Sequence, residues 1–357
     1  MEPRRQIRRS AVRIPYAVMA MLTAGIGAAY GGTASVAPII WARDVEASIR
    51  YAQATDRPIM ILVGSSPLTY EQLYQHGRRG PAINPFDDPR VVDAARNFVA
   101  LQVPLGHGTA YDLLEGRVPA RVNRLLVLLT PDGEPLGRYG IAGSPESLAA
   151  ELRLAFRAYS RNLFESKLRP VLEDDQASER ALGIALRKIR DFEIVEADEA
   201  VICLTERPKL GAGVRRLVYE VLASLSTQAA VDHLIDWVVQ GDGVNARNAR
   251  RALEDVKPSA AAHLLSVLDA DEADRRLAAY RAMVRVLQIP NPKADRFWDI
   301  ASERPREQEM ERVRGLAENR LRAFDGQVVE DDDAVRKARS PDARSRGRNR
   351  EGDGRER

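Results

Sequence analysis

Three arginine pairs recur in the second half of the chain, at Arg215 and Arg216, Arg250 and Arg251, and Arg275 and Arg276. Their spacings are 35 and 25 residues. A guanidinium is a planar fork of donors that fits a carboxylate bidentately, so such pairs suit recognition of acidic groups. Lysine occurs only six times, leaving 48 of the 54 basic residues as arginine, a bias that a GC-rich genome also produces. Two readings of the pairs stand. They form a basic ridge that docks an acidic protein surface, or they are an ordinary solvated face paired at i,i+4 with Glu220 or Glu254.

Nucleophilic and metal chemistry find little support. Ser65 and Ser66 lie in "GSSPLTYEQ" (64–72), but no histidine stands beside them to act as base. Cys203 is the single cysteine, which excludes an intramolecular disulfide and a cysteine metal cluster. It sits in "AVICLTE" among apolar neighbours and reads as a buried structural thiol; the rival reading is an exposed thiol sensor. The four histidines, His76, His107, His233 and His263, show no ligand spacing. No glycine loop suited to phosphate is present, so no cofactor is expected and the chain reads as non-catalytic. Catalytic groups that converge from distant positions escape this kind of reading. A net charge of +3 gives no argument for nucleic-acid binding.

The elements that would position these residues fall into two patterns. Residues 41–158 alternate. "RDVEASIRYAQATDRP" reads as a helix and "PIMILV" as a buried strand. "DDPRVVDAARN" is a helix with Asp88 as N-cap and Pro89 at its first position. "FVALQV" is a strand, "TAYDLLEGR" a short helix, and "RLLVLL" a third strand. An Asp-Gly turn leads to an antiparallel return, "PLGRYGI". Ser144 and Pro145 open a closing helix. This order predicts an α/β domain, a mixed sheet with helices on both faces.

The same residues resemble the thioredoxin fold, in the branch found in many exported bacterial proteins. Trp41, a helix from Asp44 and Arg57-Pro58 precede the first core strand, as in that family. "DDPRVVDAARNFV" (87–99) and "LLVLLTPDG" (125–133) are similar to two further family motifs. The resemblance covers about a third of the chain. It implies cysteines near Leu68 and Glu71, where there are none, and a cis-proline near Arg124, with Pro119 five residues too early. Thiol–disulfide exchange needs a thiolate, so the resemblance implies a redox-inactive domain. It also gathers Ser65, Ser66, Tyr70, Glu71 and Arg124 on the former redox face. There they would form a ligand or peptide groove, the alternative reading of function.

Residues 159–325 carry helical periodicity almost throughout. In "VRRLVYEVLASL" the stripe is Val214, Leu217, Val218, Val221, Leu222 and Leu225; in "AAVDHLIDWVV" it is Val231, Leu234, Ile235 and Val238. Short antiparallel helix pairs separated by tight breaks resemble HEAT-type repeats, which implies an all-α solenoid domain with a long partner-binding face. Trp237 and Trp298 fall on apolar stripes and read as core.

The two ends differ from both patterns. "MEPRRQIRRSAVR" holds five arginines, and residues 14–42 hold no charge. Residues 1–40 therefore read as a membrane anchor or signal peptide, with Ile14 to Ala34 long enough to span. The bulk would lie in the periplasm, inner-membrane anchored, or be secreted after cleavage. Residues 326–357, with "EDDD" and an arginine-rich end, read as a disordered charged tail. Together these features predict an exported scaffold or adaptor that binds a protein partner in the cell envelope; nothing in the sequence defines its oligomeric state.

Overall fold

The computed structural model describes residues 37–63, 84–103, 125–139, 144–240 and 243–339. The predicted elements within 64–83 and 104–124, and the N-terminal segment 1–36 with its proposed span, lie outside them. Among the described residues no helix is long and apolar enough to cross a membrane; the span expected over residues 14–34 is not among them.

Short apolar runs bounded by turn residues become β1 (Ile59–Val63), β2 (Val99–Val103), β3 (Leu125–Leu129) and β4 (Pro135–Tyr139). The sheet order is β2-β1-β3-β4. β1 runs parallel to β2 and antiparallel to β3, and β4 runs antiparallel to β3. The Asp132-Gly133 turn closes the hairpin, with Gly133 at φ 86°, a conformation that costs glycine no Cβ clash. Every β1 side chain is buried, as a central strand covered on both faces requires. Met60, Leu62, Ala100, Leu126 and Leu128 face one layer. Ile59, Ile61, Val63, Leu101 and Val127 face the other. This is the two-residue period of strands.

Helix α1 (Val45–Thr55) covers the second face through Ala52, Val45 and Ile49. Asp44 caps it, accepting from the Ala47 N–H at 2.9 Å. Just before it, Ala42 pairs with the outer side of β2, and Trp41 meets Phe86 edge-on with ring centroids 5.2 Å apart. Helices α2 (Pro89–Ala95) and α3 (Pro145–Leu163) cover the first face. Asp88 and Ser144 cap them and prolines open them, as the sequence predicts. Arg90 joins the two helices, bonding Asp88 through both Nε and Nη2 and reaching Glu146 at 2.5 Å. Its guanidinium holds the Asp88 carboxyl below the usual range.

Helix α3 does not stop at the predicted boundary between 158 and 159. It runs to Leu163 and continues through a π turn, Phe164–Leu168, into α4 (Arg169–Glu173). Then follow α5 (Glu179–Phe192), α6 (Asp198–Thr205), α7 (Ala212–Leu225), α8 (Gln228–Val239), α9 (Val244–Glu254), α10 (Ala261–Val267), α11 (Ala273–Val286), α12 (Asp295–Ile300) and α13 (Glu303–Arg339). They stack in two rows. α5 packs on α7, α7 on α9 and α9 on α11; α4 packs on α6 and α6 on α8. One apolar core runs from the first face of the sheet through both rows. Trp298 is buried in it and Trp237 is half-buried against it.

The C-terminal region departs from expectation. The pattern predicts disorder from residue 326, but α13 continues to Arg339. A helix rich in acidic and basic residues draws on i,i+3 and i,i+4 pairs such as Arg314 with Glu311 and Arg322 with Glu318. Its inner side packs against α3, α10 and α11. Buried Glu309 anchors it, accepting from the Tyr280 hydroxyl and from Arg312. The rest of the predicted tail, 340–357, lies outside the described residues.

A half-buried histidine sits between α6 and α8. His233 Nε2 accepts the Trp237 indole N–H at 3.0 Å and lies 2.8 Å from Thr205 Oγ1. Burial lowers the His233 pKa, opposed by Asp236 and Glu206. In the unfolded chain the imidazole takes a proton near its ordinary value of about 6.5. Below that value the unfolded chain binds more protons than the folded one, so stability falls as pH drops from about 7.5 to 5.5. Thermal midpoints across that range should show a slope that His233→Gln reduces; equal slopes in both proteins reject the assignment. For the shared core, Phe156→Ala should cost about 3–5 kcal/mol in denaturant unfolding. Leu154→Ala, on the exposed side of the same helix, should stay within about 0.5 kcal/mol. Comparable losses in the two variants would mean that Phe156 does not join sheet and helices.

Candidate functional site

The three arginine pairs do not form one ridge. Arg215, in the first turns of α7, turns inward. It donates to Asn245 Oδ1 on α9 at 3.2 Å and to the Leu210 carbonyl at 3.4 Å. Arg275, on α11, pairs with Asp236 and lies 3.7 Å from Asp232, both on α8. Arg276 donates to the carbonyls of Ala270 and Asp271 at 2.8 and 2.9 Å and so closes the α10–α11 turn. Arg216 pairs with Glu220 at 2.9 Å, the i,i+4 contact of the solvated-face reading. Arg250 and Arg251 are exposed. Neither has an ion pair or hydrogen bond among the described residues. They also sit in the second half of α9 rather than near a helix start. There Arg251, in the last turn, faces the favourable negative end of the helix dipole.

Two members of different pairs do come together. Arg216 on α7 and Arg251 on α9 line one cleft of about 490 Å³ between these helices. That is the scale of a small ligand or an inserted side chain. Glu220 and Asp255 line it as well, with Ser224 and Asn248. Glu220 is shared between Arg216 and Arg190, the latter at 3.7 Å. The lining thus balances two guanidiniums against two carboxylates, with Arg251 and Asp255 outside any ion pair among the described residues.

Tyr219 also lines this cleft. Its side chain is 1% exposed, and its hydroxyl is buried with no hydrogen-bond partner among the described residues. Burial pushes the phenol up to about 12, opposed by the charge of Arg215. A buried hydroxyl left unpaired costs about 1–3 kcal/mol, so it is a donor held ready for an acceptor. Sequence reasoning missed it. Tyr219 falls beside the aliphatic stripe of α7, and only the approach of α9 shows that it is enclosed.

The other predicted site residues are placed differently. Ser65, Ser66, Tyr70, Glu71 and Arg124 lie outside the described residues, so the groove expected at that face is not part of the described structure. Cys203 is exposed, which corrects the expectation of a buried thiol. Val201, Leu204 and Thr205 take the inner side of α6, and a residue two positions from Val201 on a helix points away from it. Among the described residues no group of three or more His, Cys, Asp or Glu side chains is placed to hold a metal ion. In comparisons with known proteins, no family model, no curated protein and no solved structure matches this chain.

Proposed function

We propose that the chain is an exported, membrane-anchored, non-catalytic adaptor that binds a protein partner through its helical rows. In this reading residues 41–158 are a thioredoxin-like domain without redox function, and residues 159–325 are HEAT-like repeats. The mixed sheet with helices on both faces supports the first part. The stacking of alternate helices in two rows supports the second. The observation that carries the function is the pair Arg250 and Arg251. They are exposed on α9 beside a polar cleft and pair with no carboxylate among the described residues, unlike Arg216 and Arg275. Unpaired guanidiniums at the rim of a cleft steer and fix an acidic surface.

The test is crosslinking and affinity capture from native membranes with the full chain, compared with the Arg250→Glu, Arg251→Glu variant. A dominant protein partner should be recovered about tenfold less with the variant, because reversed charges repel an acidic surface. The variant should lose no more than about 2 kcal/mol, since both side chains are exposed and unpaired and only Arg251 gives up a favourable place at the helix C-terminus. Equal recovery by both baits, or no reproducible partner with either, would overturn the adaptor reading.

A further inference from the structure

We infer that the cleft between α7 and α9 is a receptor for a single carboxylate side chain, an Asp or Glu presented by the partner. The inference rests on the adaptor reading and names the chemistry of its contact. Arg251 offers a fork of donors at the rim and has no partner among the described residues. Tyr219 lines the same cleft, and its hydroxyl is buried with no hydrogen-bond partner among the described residues. Asn248, half-buried on α9, lines the same space. Together they supply a charged donor, a neutral donor and an amide converging on one volume, the set that a carboxylate's lone pairs require.

The acidic lining sets the selectivity. Glu220 and Asp255 carry negative charge into the same cleft, which repels polyanions such as phosphate clusters or nucleic acid. The phenol is closed to solvent in the free protein. A seated carboxylate accepts the hydrogen bond for which the hydroxyl has no partner among the described residues.

The probes are the capped tripeptides acetyl-Ala-Glu-Ala-amide and acetyl-Ala-Gln-Ala-amide, titrated onto the full chain by ligand-observed NMR. The glutamate peptide should bind about tenfold tighter than the glutamine peptide, because charge-assisted bonds are the stronger ones. Tyr219→Phe and Arg251→Gln should each weaken the glutamate peptide by about fivefold or more. Tyr219→Phe keeps the ring and removes an unpaired hydroxyl, so it should melt no lower than the parent; its binding loss then cannot be ascribed to misfolding. Three results would overturn the inference: Tyr219→Phe binding the glutamate peptide as tightly as the parent, the two peptides binding alike, or inorganic phosphate competing as well as the glutamate peptide. The two readings fail separately. Partner capture that survives Tyr219→Phe but not the Arg250, Arg251 reversal removes the carboxylate receptor and keeps the adaptor. Tyr219-dependent peptide binding with partner capture indifferent to both variants removes the adaptor and keeps the receptor.

Discussion

Phe156 stands between Phe98 and Phe192, with ring centroids 5.9 and 5.5 Å away and both contacts edge-on. Phe98 leads into β2, and Phe192 ends α5. The middle ring belongs to α3, which lies on the sheet with one side and carries the first helical row on the other. Sheet and helices cannot separate without exposing these aromatics, and buried aromatic pairs are among the larger contributors to a core. Polar contacts reinforce the same junction. The Tyr159 hydroxyl on α3 donates to the Asp56 carbonyl at 2.8 Å. The Asp56 carboxylate receives Lys188 from α5 and Lys167 from the π turn. The return of α13 onto α3 makes this one helix the support of everything else.

That dependence explains how the arginines are used. Two stacked rows of short helices leave many helix ends and interhelical gaps, and each needs donors for unpaired carbonyls. Arg207 bonds the Leu172 carbonyl and Asp175, Arg276 satisfies two carbonyls of the α10–α11 turn, and Arg275 ties α11 to α8. Five donors in a rigid fork serve several acceptors at once, which a lysine ammonium does less well. The basic residues left to solvent are then a remainder of packing, and their position marks the face that stays open.

How much could be read in advance follows the range of the interactions. Asp88-Pro89 and Ser144-Pro145 announced their helices because a cap is a contact within three residues. β1 to β3 were legible as apolar runs, and the β4 hairpin from its Asp-Gly turn. Cys203 was misread because its apolar neighbours in sequence are neighbours on the helix only every third or fourth residue. The arginine ridge was misread for a related reason. Adjacent residues differ by about 100° around a helix, so Arg215 turned inward where Arg216 stayed out. The continuation of α13 past residue 326 escapes a reading from apolar content, because a helix anchored earlier by Val313 and Ala317 can propagate through charged residues.

The sequence by itself determined where α1, α2 and α3 begin, which apolar runs become strands, the apolar period of α7 and α8, and the lack of any thiol pair. These depend on local conformation and residue type. Only the tertiary structure decided which arginines are structural, which remain open, and that Tyr219 is enclosed without a partner. Those outcomes depend on α9 approaching α7 and α11 approaching α8, contacts between segments tens of residues apart. The i,i+4 spacing gave Arg216 its Glu220, but no local pattern encodes whether a guanidinium will meet a carboxylate on another helix.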